Sequence, residues 1–122
     1  MITATFFRTG PSLEDDIIGF WIHGHGDAVV CAATSGLGIA IINGIEKFAG
    51  ISQEEIFFDA DIENGGHLVF ILKKQQQRDG GAGILLDTMA LGICDIAETN
   101  PEDCVAKFEP ISRSKYAQYF ML

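Results

Sequence analysis

Phe20-Trp-Ile-His-Gly-His-Gly-Asp-Ala-Val-Val-Cys-Ala-Ala-Thr-Ser35 changes character along its length. It opens with aromatic and β-branched residues, which favour a strand. Gly24 and Gly26 then punctuate a turn carrying His23 and His25. From Ala28 the pattern becomes helical, and Cys31 falls in the first turns. Two of the chain's three histidines and one of its three cysteines lie here. A thiol at a helix start feels the positive end of the macrodipole. That environment favours thiolate over thiol. An imidazole from the preceding turn can complete a Cys/His pair for nucleophilic catalysis.

The elements on either side follow from the same reading. Residues 2–8 form a strand. Gly10, Pro11, Ser12 and the following acids mark a turn, so residues 17–22 return as the partner of a hairpin. Val30, Thr34, Leu37, Ile41, Ile45 and Phe48 recur at helical spacing, predicting a helix over residues 28–49. Gly50 stands where a C-terminal cap belongs. Ser35, Gly36 and Gly38 each lower helix propensity by several tenths to ~1 kcal/mol. The two glycines can admit close packing on a sheet or a partner chain.

Residues 55–62 and 68–74 alternate as strands, with Glu63-Asn-Gly-Gly66 as a hairpin turn between them. Residues 75–83 are polar and glycine-rich and read as a loop. Residues 84–99 predict a second helix with Leu86, Ala90, Ile93 and Ala97 on one face. Leu85, Met89 and Ile96 widen that apolar face, which points to deep burial or a partner. Asn100-Pro101 ends the helix, and residues 104–109 can add a short last strand. Tyr116, Tyr119, Phe120 and Met121 mark a tail that no periodicity assigns. The order β-β-α-β-β-α predicts an α+β two-layer sandwich: a mostly antiparallel sheet with two helices on one face.

At 122 residues the chain is expected to be one domain, residues 1–122, with about 110–122 as a C-terminal extension. That length buries about two thirds of the unfolded surface, so a core needs no disulfide or metal staple. The net charge of −9 argues against direct nucleic-acid binding and suits a basic peptide partner. Cys31, Cys94 and Cys104 make an odd set without close pairing. Reduced thiols and a cytoplasmic location follow. The N-terminal residues lack the order of a secretory signal. No apolar run is expected to reach the ~18 residues of a membrane span, since the longest is interrupted by Thr34, Ser35 and Asn43. No membrane association is expected.

Cys31 is either an activated nucleophile or a small buried hydrophobe. His25 lies close before it, within a glycine-flanked turn. His23 competes for the same role. If strand alternation continues from Phe20, His23 and His25 start on one side, and pattern alone does not choose between them. Asp27 can cap the helix, its favoured role, or orient an imidazole. Ser35 is one turn after Cys31 on the same face; it can donate a hydrogen bond near the thiol or a bound peptide, or simply permit close packing. His67 reads as a surface residue. A zinc site built from His23, His25, His67 and a cysteine lacks CxxC or HExxH spacing. Thr34-Ser-Gly-Leu-Gly38 matches no phosphate-binding spacing. No metal and no cofactor are expected.

Phe20, Gly24-His25 and Val30-Cys31-Ala32-Ala33-Thr34-Ser35 together resemble the ribosomal-processing cysteine protease family, Prp. Further similarity runs through Ile42-Asn-Gly-Ile-Glu46, Asn64-Gly-Gly-His-Leu68, Met89-Ala-Leu-Gly92 and Ile96-Ala-Glu98 with Pro101. It reaches to about Glu109. The resemblance implies His25 as catalytic base and Cys31 as nucleophile, with Gly24, Asp27 and Ser35 supporting them or the substrate. It also implies removal of an N-terminal extension from large-subunit ribosomal protein twenty-seven, a cut after a Phe-Phe-type segment, and a homodimer. The chain departs from the family pattern in three places. The segment from His25 to Cys31 is much shorter, in a place where the family has a mobile loop. Asp27 stands one residue further from the cysteine. The family's Ser-Ala-Leu is Ser35-Gly36-Leu37. Backbone amides at the helix start are expected to hold the oxyanion. The other readings are a non-catalytic module binding ribosomal protein or assembly intermediates, and a redox sensor using Cys31.

Overall fold

The computed structural model describes residues 1–61 and 66–121. Ile2–Arg8 (β1) and Ile17–Gly24 (β2) form the expected antiparallel hairpin. Ala28–Phe48 (α1) follows directly. Ile56–Asp61 (β3) and His67–Leu72 (β4) form a second antiparallel pair. Ala82–Thr99 (α2) then leads into Cys104–Pro110 (β5). The expected turn at Glu63, Asn64 and Gly65 lies outside the described residues, as does Ile62 of the expected third strand.

The five strands make one sheet in the order β3-β4-β2-β1-β5. Every pairing is antiparallel except β1 with β5, which is parallel. The chain is therefore an α+β protein with a mixed sheet and two helices. Register explains the core. Phe6 lies opposite Phe20, and Phe20 opposite Phe70, so these rings share the face that also carries Ala4, Ile22 and Leu68. All six are buried. Both helices cover this face. A Cβ added to Gly38 would stand 2.8 Å from Leu68 and 3.5 Å from Met89 of α2, so this glycine lets α1 sit close to the sheet. Gly36 meets nothing within 4 Å and faces outward.

The opposite face is also covered, which the sequence pattern did not indicate. Phe7, Val69 and Ile71 point there and are fully buried. Their cover is the tail, which runs through short 3-10 turns at Ile111–Arg113 and Ala117–Tyr119. The Tyr116 ring lies 6.0 Å from Phe7, 5.6 Å from Trp21 and 5.9 Å from Phe57. Tyr119 stacks on Phe57 at 3.7 Å. Lys115 places its ammonium 4.3 Å above the Trp21 ring, a cation–π contact. The tail thus straps the sheet with aromatic rings.

Two expectations are corrected. Residues 75–83 are not an open loop: Gln75–Gly81 forms 3-10 turns, kinked at Asp79 and Gly80, and α2 begins at Ala82. Arg78 organises this segment by donating to the Ile17 carbonyl and to Asp87 at 3.0 Å. Secondly, two helical segments do have the length and composition of a membrane span. Ala28–Phe48 has a mean hydropathy of 1.9 and Gln75–Thr99 of 1.4. Their inner faces form the core against the sheet, and exposed apolar residues such as Val29, Ile39, Ile84 and Leu91 add to the average.

Tyr116 is only 8% exposed and lies against four rings, those of Phe7, Trp21, Phe57 and Tyr119. Tyr116→Ala is expected to cost about 3 kcal/mol of stability, measured as a lower urea midpoint with an intact α/β circular dichroism spectrum.

Candidate active site

Strand alternation in β2 puts Phe20 and Ile22 on the helix-covered face and Trp21 and His23 on the strap-covered face. Continued alternation would send His25 after His23. It does not, because Gly24 has φ +95°, a conformation that side chains disfavour. A Cβ there would also overlap the Met1 carbonyl oxygen. The backbone reverses its facing at Gly24, and His25 joins the side of Ile22. The two histidines are thereby separated.

His25 and Cys31 line one cavity of about 260 Å³, together with Ile2, Ile22, Gly24, Thr34, Ser35 and Gly66. Larger cavities exist elsewhere, one of about 730 Å³ between Ala49–Ile51, Lys73 and Met121. That one contains neither a thiol nor an imidazole. Chemistry, not size, marks the smaller one. His25 is exposed and Cys31 half-buried, so both can meet a peptide. The Cys31 thiol points back to the preceding turn, with Sγ 3.7 Å from the Gly26 carbonyl oxygen.

Asp27 is the N-cap of α1. Its Oδ2 accepts from the Val29 N–H at 3.0 Å and the Val30 N–H at 3.4 Å. Its own carbonyl accepts from the Cys31 N–H at 2.9 Å. This arrangement starts the helix and gives the amides of Val29, Val30 and Cys31 partners within the chain. Asp27 itself does not line the cavity. Thr34 donates its hydroxyl back to the Val30 and Cys31 carbonyls, whereas Ser35 has no hydrogen-bond partner among the described residues.

The short turn between His25 and Cys31 is tied to the rest of the molecule. The Met1 ammonium donates to the His25 carbonyl. The Asp27 N–H donates to Asp103 Oδ1 at 3.2 Å. A Cβ on Gly26 would come 3.0 Å from the Asp103 carbonyl oxygen. Sequence reading missed Met1, Ile2, Gly66 and Asp103, because each reaches the site through strand pairing rather than through a local motif. The nearest signal was the Gly65-Gly66 pair, read only as a turn.

His23 stacks on Trp21 with ring centroids 3.8 Å apart. Burial first, then the ammonium groups of Lys115 and Lys107, hold its pKa below the ordinary histidine value. A neutral ring suits that stack. Among the described residues, no group of three or more His, Cys, Asp and Glu side chains converges to hold a metal ion.

Comparison with known proteins agrees with this arrangement of elements. The sequence profile of the cysteine protease Prp matches residues 1–105. The chain belongs to the Prp family of cysteine proteases. The crystal structure of SMU.848 from Streptococcus mutans is similar at 26% identity, with a TM-score of 0.72, covering 90% of this chain and 98% of that one. The ribosomal processing protease Prp from S. aureus, crystallised with a covalently linked product peptide, has 24% identity and a TM-score of 0.69. The alignment covers 89% of this chain and all of that one. The same protease with a substrate peptide has 22% identity, the same TM-score of 0.69 and the same coverage. At these last two identities the likeness is one of fold. No curated protein matches the chain. The Prp match ends before the strap, so the aromatic cover of the second sheet face lies beyond the family profile.

Gly24→Ala combines a disfavoured φ with a backbone overlap. The expected result is loss of at least about 2 kcal/mol of stability together with slower alkylation of Cys31 by iodoacetamide, followed by peptide mass mapping.

Proposed function

We propose that this Prp-family protein is an endopeptidase that trims an N-terminal extension from a basic ribosomal protein precursor, large-subunit protein twenty-seven, in the cytoplasm. The single observation that carries this reading is the presence of His25 and Cys31 on one solvent-open cavity in a member of a cysteine protease family. His25 takes the thiol proton of Cys31. The thiolate attacks the scissile carbonyl carbon, and the developing oxyanion is stabilised by the Ser35 hydroxyl. His25 then returns the proton to the leaving amine, and a thioester to Cys31 remains. Water, deprotonated by His25, attacks the thioester and releases the acid and the thiol. Asp27 supports the pair indirectly, by starting α1 where Cys31 meets the turn. Gly24 supports it by turning His25 inward.

Charge favours a basic peptide over nucleic acid. Among the described residues, this end of the sheet carries Asp27, Glu102 and Asp103 in its loops and Asp61 at the end of β3, and no lysine or arginine in those loops. Such a rim accelerates encounter with a cationic segment and is screened by salt. Homodimer formation is supported by the outer faces of the helices. Ile84 is 73% and Leu91 71% exposed on α2, and α1 exposes the small residues Ala33, Gly36 and Ala40.

The test is incubation of the protein with a peptide spanning the precursor's extension, read by mass spectrometry. Wild-type protein is expected to cut at one bond. Cys31→Ala should abolish cleavage, and His25→Ala should lower kcat by about a hundredfold or more. Ser35→Ala should lower kcat by about tenfold or more with little change in KM. Binding of the peptide without cleavage by wild-type protein would replace the enzyme with a non-catalytic binding module. In a separate measurement, kcat/KM for a lysine-rich peptide should fall several-fold between low and high salt, while that for a neutral peptide of the same length stays level.

A further inference from the structure

A Cys/His pair needs its imidazole held in one orientation, usually by a third group. No described residue hydrogen-bonds the His25 ring, and the Asp27 carboxylate is occupied by the helix cap. What meets the ring is Gly66, the residue before β4. Gly66 has φ +57°, and a Cβ on it would stand 2.7 Å from the Gly24 carbonyl oxygen, 3.2 Å from Cε1 and 3.4 Å from Nδ1 of His25. The bare backbone of Gly66 therefore forms a surface against which the edge of the imidazole rests. Any side chain would push the ring or the Gly24 peptide away.

The position of Gly66 is fixed from the other face of the sheet. His67 begins β4, and its ring lies on the strap-covered side. Its Nδ1 accepts from the Trp21 indole N–H at 3.1 Å. Its Nε2 lies 3.2 Å from Asp59 Oδ2. Indole nitrogen only donates, so Nδ1 is the unprotonated nitrogen and Nε2–H donates to Asp59. One imidazole thus ties the first residue of β4 to β2 on one side and β3 on the other. Lys115, 4.3 Å above the Trp21 ring, and His23, stacked on the same ring, restrain the indole.

We propose that Gly66 is a positioning residue for His25, and that the Trp21–His67–Asp59 hydrogen-bond chain on the far face of the sheet holds Gly66 against the catalytic ring. The proposal rests on His25 and Cys31 being the reacting pair. It assigns to packing the orienting role that a carboxylate plays in a triad.

The test compares Gly66→Ala, His67→Leu, His67→Gln and Trp21→Phe with wild type. Each is first checked for folding by thermal unfolding. Peptide cleavage gives kcat and KM, and the pH profile of Cys31 alkylation by iodoacetamide, located by mass mapping, reads the thiolate–imidazole pair without substrate. Gly66→Ala should lower kcat by about tenfold to a hundredfold, change KM much less, and displace the alkylation profile. His67→Leu and Trp21→Phe should shift both readouts in the same direction by less. His67→Gln should recover most of the His67→Leu loss, because its amide oxygen can accept from Trp21 and its N–H can donate to Asp59. A folded Gly66→Ala with wild-type kcat and alkylation profile overturns the proposal. So does equal impairment by Leu and Gln at position 67, which also decides the matter if Gly66→Ala does not fold. Should wild type cleave no peptide, the peptidase reading fails, and the alkylation profiles alone decide whether Gly66 positions the ring.

Discussion

The left-handed backbone at Gly24 is the constraint on which the site depends. Without it, β2 would carry both histidines on the strap-covered face, and the cavity lined by Cys31 would have no imidazole. A single φ of +95° moves His25 to the side where α1 begins. Everything near it is arranged to accept that reversal. Met1 approaches so closely that only a glycine fits, Gly66 meets the reversed segment from β4, and the Asp103 carbonyl presses on Gly26. Three strand ends converge on one turn, so the placement of the histidine belongs to the sheet as a whole rather than to a loop.

The start of α1 serves folding before chemistry. Asp27 uses its carboxylate and its carbonyl to satisfy the amides of Val29, Val30 and Cys31. A helix end left without such partners carries an energetic penalty, and a cap is typically worth about 1 kcal/mol. The consequence is that these amides are not free to stabilise a developing negative charge. The short segment from His25 to Cys31 is likewise tied down through Met1 and Asp103, so its access is set by fixed packing.

Much of the architecture was legible because it is written in local periodicity. The two hairpins, the extent of α1 and the break at Asn100-Pro101 all follow from spacing within a few residues. The last strand was legible as a segment, but not its parallel pairing with β1, since register between distant segments leaves no local trace. The strap was illegible for a related reason. Tyr116, Tyr119 and Phe120 follow neither a two-residue nor a helical period, because each ring answers to the shape of the sheet beneath it. His67 shows the same limit. A histidine after two glycines looks like surface, and only the register of β2, β3 and β4 brings it between Trp21 and Asp59. Of the candidate site, proximity along the chain pointed to Cys31 with either His23 or His25, only the family resemblance singled out His25, and the facing of the ring required the dihedral angle at Gly24.

The pairing of β1 with β5 has a consequence in time. Ile2 lies beside Cys104, and Phe7 is buried beneath Tyr116, so β1 waits for about a hundred further residues before either contact exists. Topologies dominated by such distant contacts fold slowly, and their unpaired edges are prone to association in the interval. The hydrophobic β1 is therefore exposed to association until the segments carrying Cys104 and Tyr116 are made.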